Sequence, residues 1–363
     1  MSATNKIRVL IAGGGTGGHV IPALAIAREL QTGWDAEVIF VGTSRGIENR
    51  LVPQAGFPLK LIEVGQLNRV SFATRIKTLF ALPLSVVEAS QLLADLRPQV
   101  VIGVGGYASG PAMVAAVLRR IPTMVFEPNL VPGMVNRKLA RWTRVAAVHF
   151  EETGKWFRHF RVTGVPVRKE FFNLPRRSSD AAPSLLVFGG SQGARAINDV
   201  VVKAAVGLKA AISNLRIVHQ TGPRQFDEVA AAYKSARVDV EAAPFIENMA
   251  QSFADADLIV CRSGASTVAE VAAAGKAAIF VPLPTAADDH QRKNAESLVA
   301  QGAAWMIAEP ELTPDRLISA VAQAFGDRAK LLQVGEKART LAHRDAALQI
   351  AQMAMEFVTP RRS

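Results

Sequence analysis

Along the whole chain, short apolar runs alternate with longer stretches in which apolar residues recur at helical spacing. The first half carries strand-like runs at residues 8–12, 38–41, 100–103, 123–126 and 145–148. After the loop NLPRRSSDAAP they resume at 184–188, 216–219, 238–241, 258–261 and 278–282. Strands that alternate with helices in this way form parallel sheets wrapped by helices. Each half opens on the same device, a strand, a glycine turn and a helix: VLIAGGGTGGHVIPALAIARELQ in the first and SLLVFGGSQGARAINDVV in the second. The pattern predicts an α/β fold of two doubly wound, Rossmann-like domains facing across a cleft. A hinge falls in VTGVPVRKEF, which divides the chain into 1–166 and 167–345; a last helix in 346–363 is expected to return to the N-terminal domain.

Length agrees with that division, because 363 residues exceed one ordinary core and suit two. The single cysteine, Cys261, excludes a disulfide framework and a cysteine-based zinc site, and fits a reducing compartment. The N-terminus MSATNKIRVL runs straight into a strand without a signal-peptide core, and no stretch reaches the 18 or so apolar residues of a membrane span. A net charge of +11 asks for an acidic partner: nucleic acid, an anionic membrane surface or a phosphorylated substrate. With aromatic residues at only 6% and no recognisable binding motif, nucleic acid is the poorest of the three.

The first glycine turn contains Gly13-x-Gly15-x-x-Gly18, a spacing that also marks dinucleotide sites. A dinucleotide site further needs an acid at the carboxyl end of the second strand, to hold the ribose. Here that strand ends in Gly42-Thr43-Ser44-Arg45, and Glu37 stands at its wrong end. The Gly-Lys-Ser/Thr ending of a Walker loop is missing too. The turn therefore suits a phosphorylated ligand that is neither NAD nor ATP, held by helix N–H groups.

Three further stretches carry candidate chemistry. VVIGVGGYASGP places Gly105 and Gly106 in another strand-to-helix turn, either for tight packing or as a second anion-binding helix start. In DLIVCRSGASTVAEVAAAGKAAIFVP a helix begins near Ser266 and closes at Gly275. Ser263 or Ser266 can cap it, and Glu270, one turn in, either holds a ribose diol or simply answers the helix dipole. In PLPTAADDHQRKNAESL, Asp288, Asp289 and His290 invite a metal reading, but neighbours in sequence seldom ligate one ion together. Gln291 suits sugar hydroxyls better. We expect no metal and no cofactor.

Taken in order, GGTGGH, GVGGYASGP, GGSQGAR, HQTG, SGASTVAE and AADDHQRKNA resemble the MurG family of GT-B glycosyltransferases across nearly the full chain. The resemblance implies transfer of N-acetylglucosamine from UDP-N-acetylglucosamine to the 4-hydroxyl of the muramoyl unit of lipid I, with inversion, giving lipid II for peptidoglycan. It implies donor contacts at Thr16, Gly17, Gly18, Asn129, Arg168, Ser191, Ile246, Ala265, Ser266, Thr267, Val268, Ala269, Glu270 and Gln291, and acceptor contacts at Gly105, Gly106, Tyr107 and Ser109. His19 is the candidate base and Glu127 the other candidate catalytic residue. The chain departs from the family in reading Phe126-Glu127-Pro128-Asn129 for His-Glu-Gln-Asn, and Gly164-Val165-Pro166-Val167-Arg168 for Gly-Asn-Pro-Val-Arg.

A polyprenyl-linked acceptor implies peripheral work at the cytoplasmic face of the bacterial inner membrane. NRVSFATRIKTLFALPLSVV offers Arg75, Ile76, Lys77, Leu79 and Phe80 as a membrane-facing set, with Arg119, Arg120, Arg137, Lys138 and Arg141 adding charge. Competing readings are a related transferase acting on another lipid, a UDP-N-acetylglucosamine 2-epimerase-type isomerase, and a nucleotide-sugar sensor without catalysis.

Overall fold

The computed structural model describes residues 6–64, 72–175, 177–178 and 180–358, with residues 72–81 described as helix backbone only. Its chain divides into two compact units, one running through Pro166 and resuming at Asp345, the other spanning Val167–Arg344.

The first unit contains β1 (Arg8–Gly13), α1 (Gly17–Trp34), β2 (Glu37–Gly42), α2 (Glu48–Gln54), β3 (Leu59–Leu61), α3 (Phe72–Leu96), β4 (Val100–Gly105), α4 (Ser109–Leu118), β5 (Thr123–Glu127), α5 (Met134–Leu139), β6 (Val145–Val148) and β7 (Phe160–Val162). Among the described residues its strands form one parallel sheet in the order β3-β2-β1-β4-β5-β6-β7. The order reverses direction between β1 and β4, and ligands of open α/β sheets bind at such a switch point, outside the strands' carboxyl ends. The central strands are buried on both faces, and one core gathers Leu10, Val101, Val125 and Val148 against Ala112 and Met113 of α4.

The second unit contains α6 (Lys169–Phe172), β8 (Ser184–Phe188), α7 (Arg195–Ala211), β9 (Arg216–Gln220), α8 (Phe226–Ser235), β10 (Glu241–Ala243), α9 (Met249–Asp255), β11 (Leu258–Cys261), α10 (Ala265–Ala274), β12 (Ala277–Phe280), α11 (His290–Ala300), β13 (Trp305–Met306), α12 (Pro314–Gly326) and α13 (Arg328–Thr340). Its parallel sheet runs β10-β9-β8-β11-β12-β13, the same reversal about the first strand. Leu185, Val187, Val260 and Ile279 meet Ile197, Val201 and Leu317 in its core. A final helix, α14 (Ala346–Met355), belongs to the first unit, where it packs on α1 and buries Ile350, Ala351, Met353 and Ala354. Just beyond it, Glu356 accepts two bonds from the Arg161 guanidinium, at 2.5 and 2.8 Å.

A buried polar network stabilises the second unit. The Asn198 amide N–H donates to Thr221 O at 2.7 Å, so its oxygen faces His219 Nε2 at 3.0 Å and that nitrogen must carry the proton. Nδ1 then accepts from the Tyr233 hydroxyl at 2.7 Å. The ring is neutral and fully enclosed, and burial pulls its pKa down to about 4. Since the folded value lies below the unfolded one near 6.5, stability is present above pH 6.5 and drains away as pH falls towards 4. At 1.36 kcal/mol per unit the full loss is about 3 kcal/mol. Urea unfolding from pH 7 to 4.5 is expected to show a shallower acid decline in His219→Gln than in wild type; identical declines exclude His219 as a source of acid sensitivity.

Candidate functional site

In the first unit the turns after β1 and β4 interlock. Gly13 has φ +148°, and a Cβ there would lie 2.4 Å from Gly105 O. Gly106, at φ +82°, passes equally close to Gly14 O, and the Gly14 N–H donates to Gly105 O at 3.3 Å. Only glycines permit this approach. Thr16 is the extended N-cap residue of α1, and it is exposed together with Gly18. His19 occupies the first turn of that helix, half-buried, with Nδ1 3.1 Å from Gly14 O and 3.4 Å from Thr16 Oγ1. A carbonyl only accepts, so Nδ1 carries the proton and the lone pair of the neutral ring is on Nε2, the edge that lies against Gly105. The structure thus brings His19, Gly105 and Gly106 together. Tyr107 is half-buried at the same turn. Ser109 is fully buried and its hydroxyl donates to Gly106 O at 2.8 Å, which shapes the turn.

Glu127 ends β5 and points into the loop that follows. Its carboxylate accepts from Asn136 Nδ2 (2.8 Å), Gly133 N (3.0 Å), Asn129 N (3.1 Å) and Asn129 Nδ2 (3.2 Å). Burial pushes its pKa above the usual carboxylate value, and these bonds hold it down in part. A carboxylate so enclosed and so fully engaged braces the loop that carries Asn129.

In the second unit Ser191, Ile246, the 265–270 stretch and Gln291 follow the carboxyl ends of β8, β10, β11 and β12. Ser191 is exposed on the turn between β8 and α7. Helix α10 starts after Gly264 with no side-chain cap, so the N–H groups of Ala265, Ser266 and Thr267 are open to a ligand. The Ser266 hydroxyl is buried there without a partner, whereas Ser263 is committed to Gln291 O at 2.8 Å. The side chains of Val268 and Ala269 turn inward and are buried. Gly275 closes the helix at φ +60°, as the spacing predicts. Glu270 keeps part of its surface accessible, yet burial pushes its carboxyl up to about 7, with the Arg168 guanidinium pulling the other way. Arg168 itself is exposed and lies over the Phe171 ring, 4.9 Å from its centre.

Two of the donor candidates have hydrogen-bond partners within the second unit. The Ile246 N–H donates to Gln220 Oε1 at 2.8 Å, while Gln220 Nε2 donates to Gly190 O at 3.0 Å. Gln220 thereby ties together the loops after β8 and β10, a role the HQTG motif contained but did not reveal. Gln291 accepts from the Leu283 N–H at 3.0 Å, so its amide orientation is set by its own loop. Asp288 and Asp289 both adopt left-handed backbone, and Asp289 pairs with Arg292. Among the described residues no three His, Cys, Asp or Glu side chains converge on a metal position. The membrane-facing candidates Arg75, Ile76, Lys77, Leu79 and Phe80 have side chains outside the described residues.

Two parallel switch-point sheets, each with a helix N-terminus at its rim, give the GT-B fold, and the matches to known families make the chain a glycosyltransferase. Residues 9–148 match the glycosyltransferase family 28 N-terminal domain and residues 184–350 its C-terminal domain. The chain is similar to the UDP-N-acetylglucosamine--N-acetylmuramyl-(pentapeptide) pyrophosphoryl-undecaprenol N-acetylglucosamine transferase of Solibacter usitatus, at 44% identity over 98% of each chain. The Bdellovibrio bacteriovorus protein of the same name is 48% identical over 90% of this chain and 92% of its own. The crystal structure of Acinetobacter baumannii MurG superposes with a TM-score of 0.81 at 34% identity, over 96% of this chain and 99% of that one. The chain belongs to glycosyltransferase family 28 and, within it, to the MurG transferases.

Proposed function

We propose that this protein transfers N-acetylglucosamine from UDP-N-acetylglucosamine to the 4-hydroxyl of the muramoyl unit of undecaprenyl-pyrophosphoryl-muramoyl-pentapeptide, with inversion. The observation that carries the reading is its full-length kinship with transferases named for that donor and acceptor. In the second unit, Glu270 accepts the ribose hydroxyls. The open N–H groups of α10 and the Ser266 hydroxyl receive the diphosphate, Ser191 and Arg168 add to it, and the Gln291 amide reads the sugar. In the first unit, His19 Nε2 takes the proton of the acceptor hydroxyl. The new oxygen–carbon bond forms at the anomeric centre as the carbon–oxygen bond to the diphosphate breaks, and the electron pair leaves with UDP. Thr16, Gly17 and Gly18 line the same helix start, and Asn129 stands on the loop that Glu127 braces.

The protein acts as a peripheral protein on the cytoplasmic face of an anionic membrane. Among the described residues no helix is long and apolar enough to cross one. Leu84 and Val87 of α3 and Leu118 at the end of α4 are exposed, and Arg119, which donates to Ser90 Oγ at 3.1 Å, sets that end of α4 beside α3. Exposed Trp142 lies under Arg141, and Trp156 under Arg137. Amphipathic aromatic and basic side chains of this kind suit a headgroup layer, where each basic residue is worth about 1 kcal/mol. One experiment tests both parts. With labelled UDP-N-acetylglucosamine, a short-chain lipid I analogue in solution should yield disaccharide at a rate little changed by salt. With full-length lipid I in anionic vesicles, the rate should fall steeply as salt rises. No disaccharide from either acceptor sinks the activity, and equal salt dependence with both sinks the membrane reading alone.

A further inference from the structure

Glu48 opens α2 and is almost fully buried, although nothing in the pattern of the sequence singles it out. Its carboxylate lies in a groove made by three glycines from two loops. A Cβ on Gly14 would come within 2.2 Å of Cδ, one on Gly42 within 2.5 Å of Cγ, and one on Gly46 would overlap Oε2. Oε1 accepts from the Thr43 N–H at 3.0 Å and from the Thr43 hydroxyl at 3.2 Å. Oε2 accepts from the Gly15 N–H at 2.7 Å.

That last bond reaches His19. The Gly15 N–H and the Gly14 carbonyl are the two polar ends of one peptide group, and the carbonyl end accepts from His19 Nδ1–H at 3.1 Å. Carboxylate, peptide and imidazole therefore form one chain of hydrogen bonds. An ionised acceptor on the N–H end polarises the peptide and makes its carbonyl a stronger acceptor. A stronger acceptor at Nδ1 fixes the ring's tautomer and rotation, as the carboxylate partner of a catalytic histidine does by direct contact.

We infer that Glu48 is a positioning residue for His19, acting through the Gly14–Gly15 peptide group. The inference rests on the reading of His19 as base. Glu48 itself neither meets the acceptor nor takes its proton; it holds Nδ1 protonated so that Nε2 is the atom that receives it. The glycines at 14, 42 and 46 follow from this arrangement, since any side chain there would displace the carboxylate.

The test is a double-mutant cycle on the full chain with the lipid I analogue, using Glu48→Gln, His19→Ala and both together. Glu48→Gln keeps the shape and removes the charge. It should lower kcat about tenfold with donor KM unchanged, and cost less than twofold when His19 is already alanine. An equal loss in both backgrounds, or a rise in donor KM at constant kcat, overturns the relay while leaving His19's own role intact. An unchanged kcat in His19→Ala overturns the base reading itself, and the relay falls with it. Should Glu48→Gln fail to fold, nitrogen NMR of wild-type protein labelled at histidine decides: the neutral His19 ring must carry its proton on Nδ1, and an Nε2–H tautomer overturns the inference.

Discussion

His19→Ala should lower kcat for transfer by about 10²–10⁴-fold, the range that a positioned general base contributes, while leaving the donor dissociation constant nearly unchanged. The split follows from geometry. His19 belongs to the first unit, whereas the carboxylate and open helix start that suit a nucleotide sugar belong to the second. Its Nδ1 is committed to Gly14 O, which leaves Nε2 as the nitrogen able to accept a proton. Calorimetry with UDP-N-acetylglucosamine and single-turnover kinetics with saturating acceptor separate the two quantities. If the whole loss appears in acceptor KM, His19 binds the acceptor and does not deprotonate it.

The second large effect belongs to Glu270. Removing a charged acceptor from a ribose diol costs on the order of 1.5–3 kcal/mol, so Glu270→Ala should weaken donor binding by about ten- to a hundredfold, with the fold preserved. Acidity adds a sharper signature. Burial places this carboxyl near pH 7, and two hydroxyl donors favour its ionised form, so binding must first remove a proton from the protein below that pH. The donor's diphosphate stays ionised throughout. Linkage then predicts that wild-type donor affinity falls about tenfold from pH 8 to pH 6, and that Glu270→Gln is weak and flat over the same range. A flat wild-type profile, or unaltered affinity in Glu270→Ala, removes the ribose assignment.

Much of the scaffold was legible because the central strands are short apolar runs between glycine turns and helices. The strands at 145–148, 184–188 and 258–261 match observed elements residue for residue. What the pattern missed lies at the sheet edges. Leu59–Leu61, Phe160–Val162 and Trp305–Met306 are two or three residues long, pair on one side and are only partly buried, so no sustained apolar run marks them. The strand read at 238–241 forms at Glu241–Ala243 instead, because the Val238 N–H closes the end of α8 on Tyr233 O.

The candidate site divides along a similar line. The glycine turns and helix starts were legible from spacing, and His19, Glu270 and Gln291 lie near the starts of α1, α10 and α11. Residues whose importance comes from a partner distant in sequence were not. Glu48 gains its meaning from Gly15, and Gln220 from Gly190 and Ile246. The partners of Ser109 and Glu127 were not legible either, since motif spacing fixes a position and not which way the side chain turns.

The return of α14 to the first unit bears on how the protein is made. The ribosome must read through the whole of Val167–Arg344 before the helix that covers α1 emerges. At about 5–20 residues per second, that leaves the first-made unit without its last helix for roughly ten to forty seconds, its apolar α1 face available to chaperones, while the second unit, contiguous in the chain, has all its parts earlier. The unit begun first is the one finished last.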